Sequence, residues 1–497
     1  MVGVPGRSQG CITCRSRKKG CDGQRPACLR CIQAGLQCGG YSRHPVFIAS
    51  TPDSQGNLAT YTRATPALTA SSHTSQSSSA QDVTLSQSLT QTAYNARYMD
   101  MFWSHYLPCG ETLTNEAMKL GNGGWINLAL DLFSTDSTLQ LAMQSVVLRG
   151  MGMRNADQSL MRQGSAAYSM CLKDFNKALS DSGRRSTDGI LCTVKLLSLF
   201  EMHYGADETD KLAQQRSWGA HANGQLAMLT LREPQDFRSG KAHQLFVDYR
   251  YNLIISAIVE RKRFVLDGKG WNTKPWKSIR KSPRDKLLDI LSELCQVLEE
   301  VDHMQACTKL DEKTVLRQDI LRRCWRLDEL LRAWTNETTK LKNFEHDHSL
   351  EPKDPQDFAL AHLTILYWAT GALVHANLFA LVDKDDALPP RINPLIFVHK
   401  VASAMPFFLH PRAGAMGPKI ASFPLGMALQ VYYGMEDEPS EDIDIFAGFT
   451  ESGFDATAIV NFILSMQRGY VKTEVADRGG LQGTRTLAKA WMNLSGV

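Results

Sequence analysis

Several signatures are missing from this sequence of 497 residues, and each absence removes a class of function. There is no P-loop, no dinucleotide-binding glycine fingerprint and no hydrolase nucleophile elbow. Nucleotide hydrolysis, nicotinamide chemistry and serine hydrolysis therefore each lack their carrying motif, and no catalytic residue is assigned. No apolar run near Met1 reads as a secretory signal. The six cysteines after Cys38 (Cys109, Cys171, Cys192, Cys295, Cys307, Cys324) stand without paired spacing. A reducing compartment is expected, and a disulfide framework is not. Strict alternation of apolar and polar residues is scarce, so little supports a sheet. Neither sign of charge dominates, with 55 Lys and Arg against 51 Asp and Glu. A hydrophobic content of 43% is ordinary for a globular chain. Lys, Arg, Asp and Glu are all absent from residues 358–382, a run long enough to cross a bilayer. It contains His362, Thr364, Thr370, His375 and Asn377, each costly in lipid, so a buried core helix and no membrane partner are expected.

What is present is concentrated near the N-terminus. Residues 11 to 38 read Cys11-x2-Cys14-x6-Cys21-x6-Cys28-x2-Cys31-x6-Cys38, one pattern written twice. The repeat implies two halves related by a pseudo-twofold. A C-x2-C step opening a helix brings two thiolates to one metal, as in zinc sites. Two tetrahedral zinc ions need eight ligand positions, so six cysteines suffice only if two sulfurs are shared. One zinc ion would leave the duplication unexplained, and two Zn²⁺ are expected. Arg15, Arg17, Lys18 and Lys19 follow the second cysteine, with Arg25 and Arg30 beyond and Asp22 as the one opposing acid. Six thiolates outweigh two divalent ions, so part of this positive charge offsets the cluster. The surplus on a short helix suits a DNA major groove. Residues 1–45 hold eight Lys or Arg and one acid while the whole chain carries only +4, so the remainder is slightly acidic. A basic head on an acidic body suits a head that meets nucleic acid.

The chain then divides by texture. Residues 1–10 contain Gly, Pro and Ser and are expected to be disordered, and 11–43 form the cluster. Between Ser50 and Thr92, 24 of 43 residues are Ser, Thr or Gln, too little apolar surface to offset ordering, so 44–92 reads as a flexible linker. It has no sustained heptad, so dimerisation through a coiled coil there is unsupported. From 93 to 497 apolar residues recur at helical spacing, as in 136–150, 157–180, 188–204, 284–302 and 314–334. Trp218, His221 and Gly224 share one helix face and read as packing. Lys277, Arg280, Lys281, Arg284 and Lys286 read as an exposed basic patch at a helix start. The acids from Glu436 to Asp444 with Ile443, Ile445 and Phe446 read as a solvated loop, with an acidic activation segment as the sharper reading.

The stretch GCITCRSRKKGCDGQRPACLRC closely resembles the fungal Zn(2)-Cys(6) binuclear zinc cluster family of transcription factors. It shares the cysteine spacing, the basic run, Cys21-Asp22 and the Arg25-Pro26-x-Cys28 loop, and departs at Gly20, where the family usually has Lys or Arg. The resemblance implies that Cys11 and Cys28 bridge the metals and that Lys18 reads a CGG-type triplet. Arg15, Arg17 and Lys19 then divide between bases and phosphates. The succession Trp218-x2-His221-x2-Gly224, Arg232, Pro234, Phe237, Leu245-Phe246, Arg250 and Arg261 to Phe264, with Pro424-Leu425, is similar to the second type of fungal-specific regulatory domain. That implies a fold of two short helix-loop halves, a disordered linker and a large all-α regulatory body. The implied function is nuclear, with double-stranded DNA, the transcription machinery and co-regulators as partners. It is regulation of RNA polymerase II transcription of a fungal gene set, foremost a secondary-metabolite biosynthetic cluster. The rival is a nutrient or catabolic regulator whose helical body is a small-molecule receptor gating the zinc domain. Any homodimer would form through the helical body.

Overall fold

A computed structural model describes residues 10–24, 27–38, 87–204, 223–268, 270–338, 351–383 and 388–435. Trp218, His221 and the acidic run 436–446 lie outside them. The chain divides into two compact units, Met1–Val83 and Thr84–Val497. The first is built on two one-turn helices, α1 (Ile12–Ser16) and α2 (Leu29–Gln33). Its core is the set of cysteines, with Cys11, Cys14, Cys28 and Cys31 buried and Cys21 and Cys38 packed against them. Five-residue helices have no apolar face of their own, so this unit depends on what its sulfurs hold.

The second unit is helical, with no strand among the described residues. It opens with α3 (Gln87–Tyr106), which begins inside the stretch that composition assigns to the linker. No Gly or Pro interrupts 87–106, and the buried aromatic face of Phe102, Trp103 and Tyr106 anchors the helix on its C-terminal half. Then come α4 (Gly124–Leu132), α5 (Ser137–Arg154), α6 (Gln158–Ser180) and α7 (Asp188–Tyr204). A hairpin of α5 and α6 is the tightest pairing. Asp136 caps α5 by accepting from Leu139 N at 3.0 Å, and Asp157 caps α6 through Ser159 N and Leu160 N. Glycines set the approach: a Cβ on Gly164 would lie 2.6 Å from Arg149 N, and one on Gly152 2.6 Å from Met161 N.

The rest of the body follows as α8 (Gly240–Val259), α9 (Pro283–Ala306), α10 (Leu310–Glu337), α11 (Pro355–Leu381), α12 (Leu395–Ser403), α13 (Met405–Leu409) and α14 (Met416–Met435). Ser282 and Asp285 form a reciprocal capping box around Pro283 at the start of α9. Packed on α10, α12 and α14, α11 is the central helix. It is long and apolar enough to cross a membrane by length and composition, yet 89% of its apolar window is buried within the body. Each polar residue expected to be costly in lipid has a protein partner. Thr364 and Thr370 donate to carbonyls one turn earlier, at 2.8 and 2.7 Å, and Asn377 does so at 2.8 Å. His362 accepts from Asn122 N and meets the Tyr251 hydroxyl, while His375 pairs with Asp328 at 3.0 Å.

One expectation is corrected here. Lys277, Arg280 and Lys286 are exposed and Lys281 pairs with Asp289, but Arg284 is 2% exposed. Its guanidinium donates to the Gly121 carbonyl at 2.6 Å and to Asp248 at 3.2 Å. The Asp248 carboxylate also accepts from Trp125 N and Gln244 Nε2. Arg284 is thus an internal clasp joining α8 and α9 to the turn before α4. Tertiary burial overrode a reading based on composition alone. The succession from Arg232 to Phe264 likewise serves packing. Phe237, Leu245, Phe246 and Phe264 are core, and Arg232, Arg250 and Arg261 pair with Asp188, Asp289 and Asp302.

Candidate metal centre and nucleic-acid interface

The duplicated spacing produces duplicated geometry. Cys11 Sγ accepts from Cys14 N at 3.3 Å, and Cys28 Sγ accepts from Cys31 N at 3.3 Å. Each sulfur thereby takes an N-cap position at the opening of a helix. The third cysteine of each half folds back on the first: Cys21 Sγ accepts from Cys11 N at 3.3 Å, and Cys38 Sγ from Cys28 N at 3.4 Å. Four sulfur separations across the halves run from 3.6 Å (Cys11 to Cys28) to 3.9 Å (Cys14 to Cys31).

Two four-sulfur groups emerge, each with all sulfurs within 4.8 Å of one another. One is Cys11, Cys14, Cys21 and Cys28, and the other is Cys11, Cys28, Cys31 and Cys38. They have Cys11 and Cys28 in common. Tetrahedral zinc with Zn–S near 2.3 Å places its sulfurs about 3.8 Å apart, so these separations suit a ligand shell. Burial raises the Cys14 and Cys28 thiols above their ordinary range. At Cys11 the Cys14 N–H lowers the value, but burial and neighbouring thiols carry it up to about 12. Crowded protons of this kind leave when a divalent cation supplies the opposing charge, so metal uptake here releases protons and completes the fold.

The exterior breaks the twofold. Arg17 N donates to Thr13 O at 3.2 Å as α1 ends, and Lys19 N donates to Cys14 O at 3.0 Å, closing the helix by way of Lys18. Lys18 has φ of 54°, in the left-handed region. In the second half Leu36 N donates to Cys31 O at 2.9 Å around Gly35, with φ of 63°. A lysine thus occupies a conformation that costs it roughly 1–2 kcal/mol, where the repeat uses glycine. Arg17, Lys18 and Lys19 are exposed on the first half, while the second exposes Leu29, Ile32 and Leu36 beside Arg30. A polyanion would be drawn to the first half. Asp22 has a structural task, accepting from Leu29 N at 2.9 Å at the start of α2. A Cβ on Gly20 would meet nothing within 4 Å.

Of the residues expected to contact DNA, Arg17, Lys18 and Lys19 lie together where α1 ends. Arg15 lies on α1, and its side chain is outside the described residues. Sequence reasoning missed the left-handed lysine and the sulfur caps. The signal for the first was available, since Lys18 and Gly35 each stand four residues after the second cysteine of their half.

Residues 9–45 match the fungal Zn(2)-Cys(6) binuclear cluster domain. The head of this chain is therefore similar to a domain in which six cysteines hold two zinc ions. Over 191 residues the chain is 24% identical to an uncharacterized protein of Emericella nidulans, covering 38% of this chain and 39% of that one. Over 28 residues it is 71% identical to Transcription factor FUP7 of Fusarium proliferatum, 6% of this chain and 11% of the relative. Over 40 residues it is 55% identical to the aspercryptin biosynthesis cluster-specific transcription regulator atnN of Emericella nidulans, 8% and 7% of the two. The matched spans therefore cover well under half of each relative. No solved structure matches the chain.

Proposed function

We propose that this zinc cluster protein is a nuclear, sequence-specific transcription regulator that reads CGG-type triplets in double-stranded DNA. In this reading Cys11, Cys14, Cys21, Cys28, Cys31 and Cys38 hold two Zn²⁺, and Cys11 and Cys28, the pair common to both four-sulfur groups, take the bridging positions. The metals organise the fold and perform no reaction. The observation that carries the reading is the exposed run Arg17, Lys18 and Lys19 at the end of a helix tied to that cluster. Lys18 donates to guanine O6 and N7, while Arg15, Arg17 and Lys19 divide between neighbouring bases and phosphates. The left-handed Lys18 supports this role, because strain is retained where a side chain must be held out at a fixed position.

The target is a gene set transcribed by RNA polymerase II. The name of the Emericella relative, a cluster-specific regulator of a biosynthetic cluster, favours a secondary-metabolite set. The helical body is the regulatory part. It meets co-regulators and is the surface through which two copies would pair.

The test is fluorescence anisotropy of the zinc-loaded chain on a CGG duplex and a scrambled duplex at one salt concentration. Lys18→Ala should lose about 1–3 kcal/mol on the CGG duplex and erase the preference. Lys19→Ala should weaken both duplexes alike. An unchanged CGG-to-scrambled ratio in Lys18→Ala would remove Lys18 as the base reader.

A further inference from the structure

We infer that Ser16, the last residue of α1, is a phosphorylation site, and that a phosphate there releases the head from nucleic acid. The release rests on the proposed DNA-reading role of the basic run, while the modification itself does not.

Hydroxyl groups are rare in the head. Among its described residues only Thr13 and Ser16 carry one. The Thr13 hydroxyl donates across the repeat to the Gln37 carbonyl at 3.1 Å and so ties the two halves together. Ser16 is exposed, and its hydroxyl donates to the Thr13 carbonyl of its own turn at 3.0 Å. Its oxygen is left open to an electrophile arriving from solvent.

What surrounds Ser16 is charge of one sign. Arg15 precedes it, and Arg17, Lys18 and Lys19 follow it. The last three are exposed, and among the described residues none of them pairs with a carboxylate. Asp22, the one acid of the head, is turned to Leu29 N. Protein kinases of the basic-directed class bind substrate through an acidic groove, and an exposed hydroxyl flanked by cations is what such a groove selects. The chain also leaves the helix directly after the acceptor, since α1 is a single turn ending at Ser16.

In the reaction Ser16 Oγ attacks the γ-phosphorus of a nucleoside triphosphate. The bond from that phosphorus to the bridging oxygen breaks, the nucleoside diphosphate leaves, and the hydroxyl proton passes to the kinase's catalytic base. The product carries about −1.5 to −2 charge at pH 7. It offsets up to about half of the four-cation run and repels the phosphates of a duplex. The ester oxygen has no proton to give, so the bond to the Thr13 carbonyl is lost as well. Ser16 is not one of the six sulfur ligands, so the cluster keeps its donors.

The experiment incubates the zinc-loaded full chain with the catalytic fragment of a protein kinase C and magnesium ATP, and maps phosphate by mass spectrometry. Label is expected on Ser16. Ser278, exposed in the body with Arg280 two residues on, is the internal reference. A CGG duplex at about ten times its Kd should slow labelling of Ser16 roughly tenfold and leave Ser278 unchanged. The phosphorylated chain should keep its zinc by metal analysis. Its affinity for CGG and scrambled duplexes should fall on the order of a hundredfold, with a salt slope shallower by about two units. Ser16→Ala keeps all four cations, so it should bind both duplexes like the unmodified chain and take no label at that position. Absence of label on Ser16 would overturn the site. Labelling at the same rate with and without the duplex, or unchanged duplex affinity after phosphorylation, would overturn the release. Equal binding of CGG and scrambled duplexes before phosphorylation would instead refute the base reading, and the mapping of phosphate to Ser16 stands apart from that result.

Discussion

Arg284 separates a reading from composition and one from packing, because the two differ by several kcal/mol. As part of an exposed basic patch its removal would change stability by no more than about 0.5 kcal/mol. In the folded body its side chain is 2% exposed and clasps Asp248, whose side chain is 0% exposed. Arg284→Ala leaves that carboxylate with two neutral donors, Trp125 N and Gln244 Nε2, and no facing guanidinium. Removing one partner of a buried ion pair costs about 3–5 kcal/mol. The Gly121 carbonyl also loses its 2.6 Å donor, worth roughly 1–3 kcal/mol when left unpaired. These losses overlap, so the expected total is about 4 kcal/mol, a large part of the stability of a typical domain. Urea denaturation of the full chain, followed by far-UV circular dichroism, measures it. Arg280→Ala, at an exposed position of the same patch, is the control and should stay within about 0.5 kcal/mol. The double variant Asp248→Leu/Arg284→Met should recover part of the loss, because it removes the buried carboxylate together with its partner while the Gly121 carbonyl and Trp125 N–H stay unpaired. If Arg284→Ala matched Arg280→Ala, or the double variant lost as much as the two single changes together, the clasp would not act as argued.

Three further outcomes are expected. Cys28→Ser should lose both zinc ions together by metal analysis, since Cys28 stands in both four-sulfur groups, while the helical body keeps its melting transition; retention of one zinc would contradict the shared position. Gly20→Lys should strengthen binding to CGG and scrambled duplexes alike and steepen the salt dependence by about one unit, because the side chain meets no obstacle there and adds a cation beside the basic run; a changed specificity ratio would count against this. His362 is held neutral by burial, with its pKa lowered from 6.5 to about 3, so it takes up a proton on unfolding more readily than in the fold. Its contribution is therefore present above about pH 6.5 and falls away between pH 6.5 and 3, by roughly 2 kcal/mol at pH 5. Denaturation of His362→Gln beside the unmodified chain should show a shallower loss between pH 7 and 5, and parallel curves would show that His362 does not contribute.

The head was legible because its determinants are local. Ligand spacing sets which sulfurs meet, and the repeat of C-x2-C-x6-C carries its own symmetry, so two metals and two short helices followed from counting. Helical periodicity likewise located α6 and α7 to within a residue. The uncharged run around His362 was legible as a buried helix, because the hydrogen-bonding needs of its side chains are written in their identities. Tertiary structure decided where charge ends up. Nothing in the run from Lys277 to Lys286 distinguishes Arg284 from its neighbours except the helix phase at which it meets Asp248, a residue 36 positions away. The same holds for Lys195 on α7, which donates to the Asp248 main-chain carbonyl 53 positions away. Desolvation and Coulomb energy depend on distance in space and on which side of a helix faces the core. Spacing along the chain constrains neither for residues so far apart.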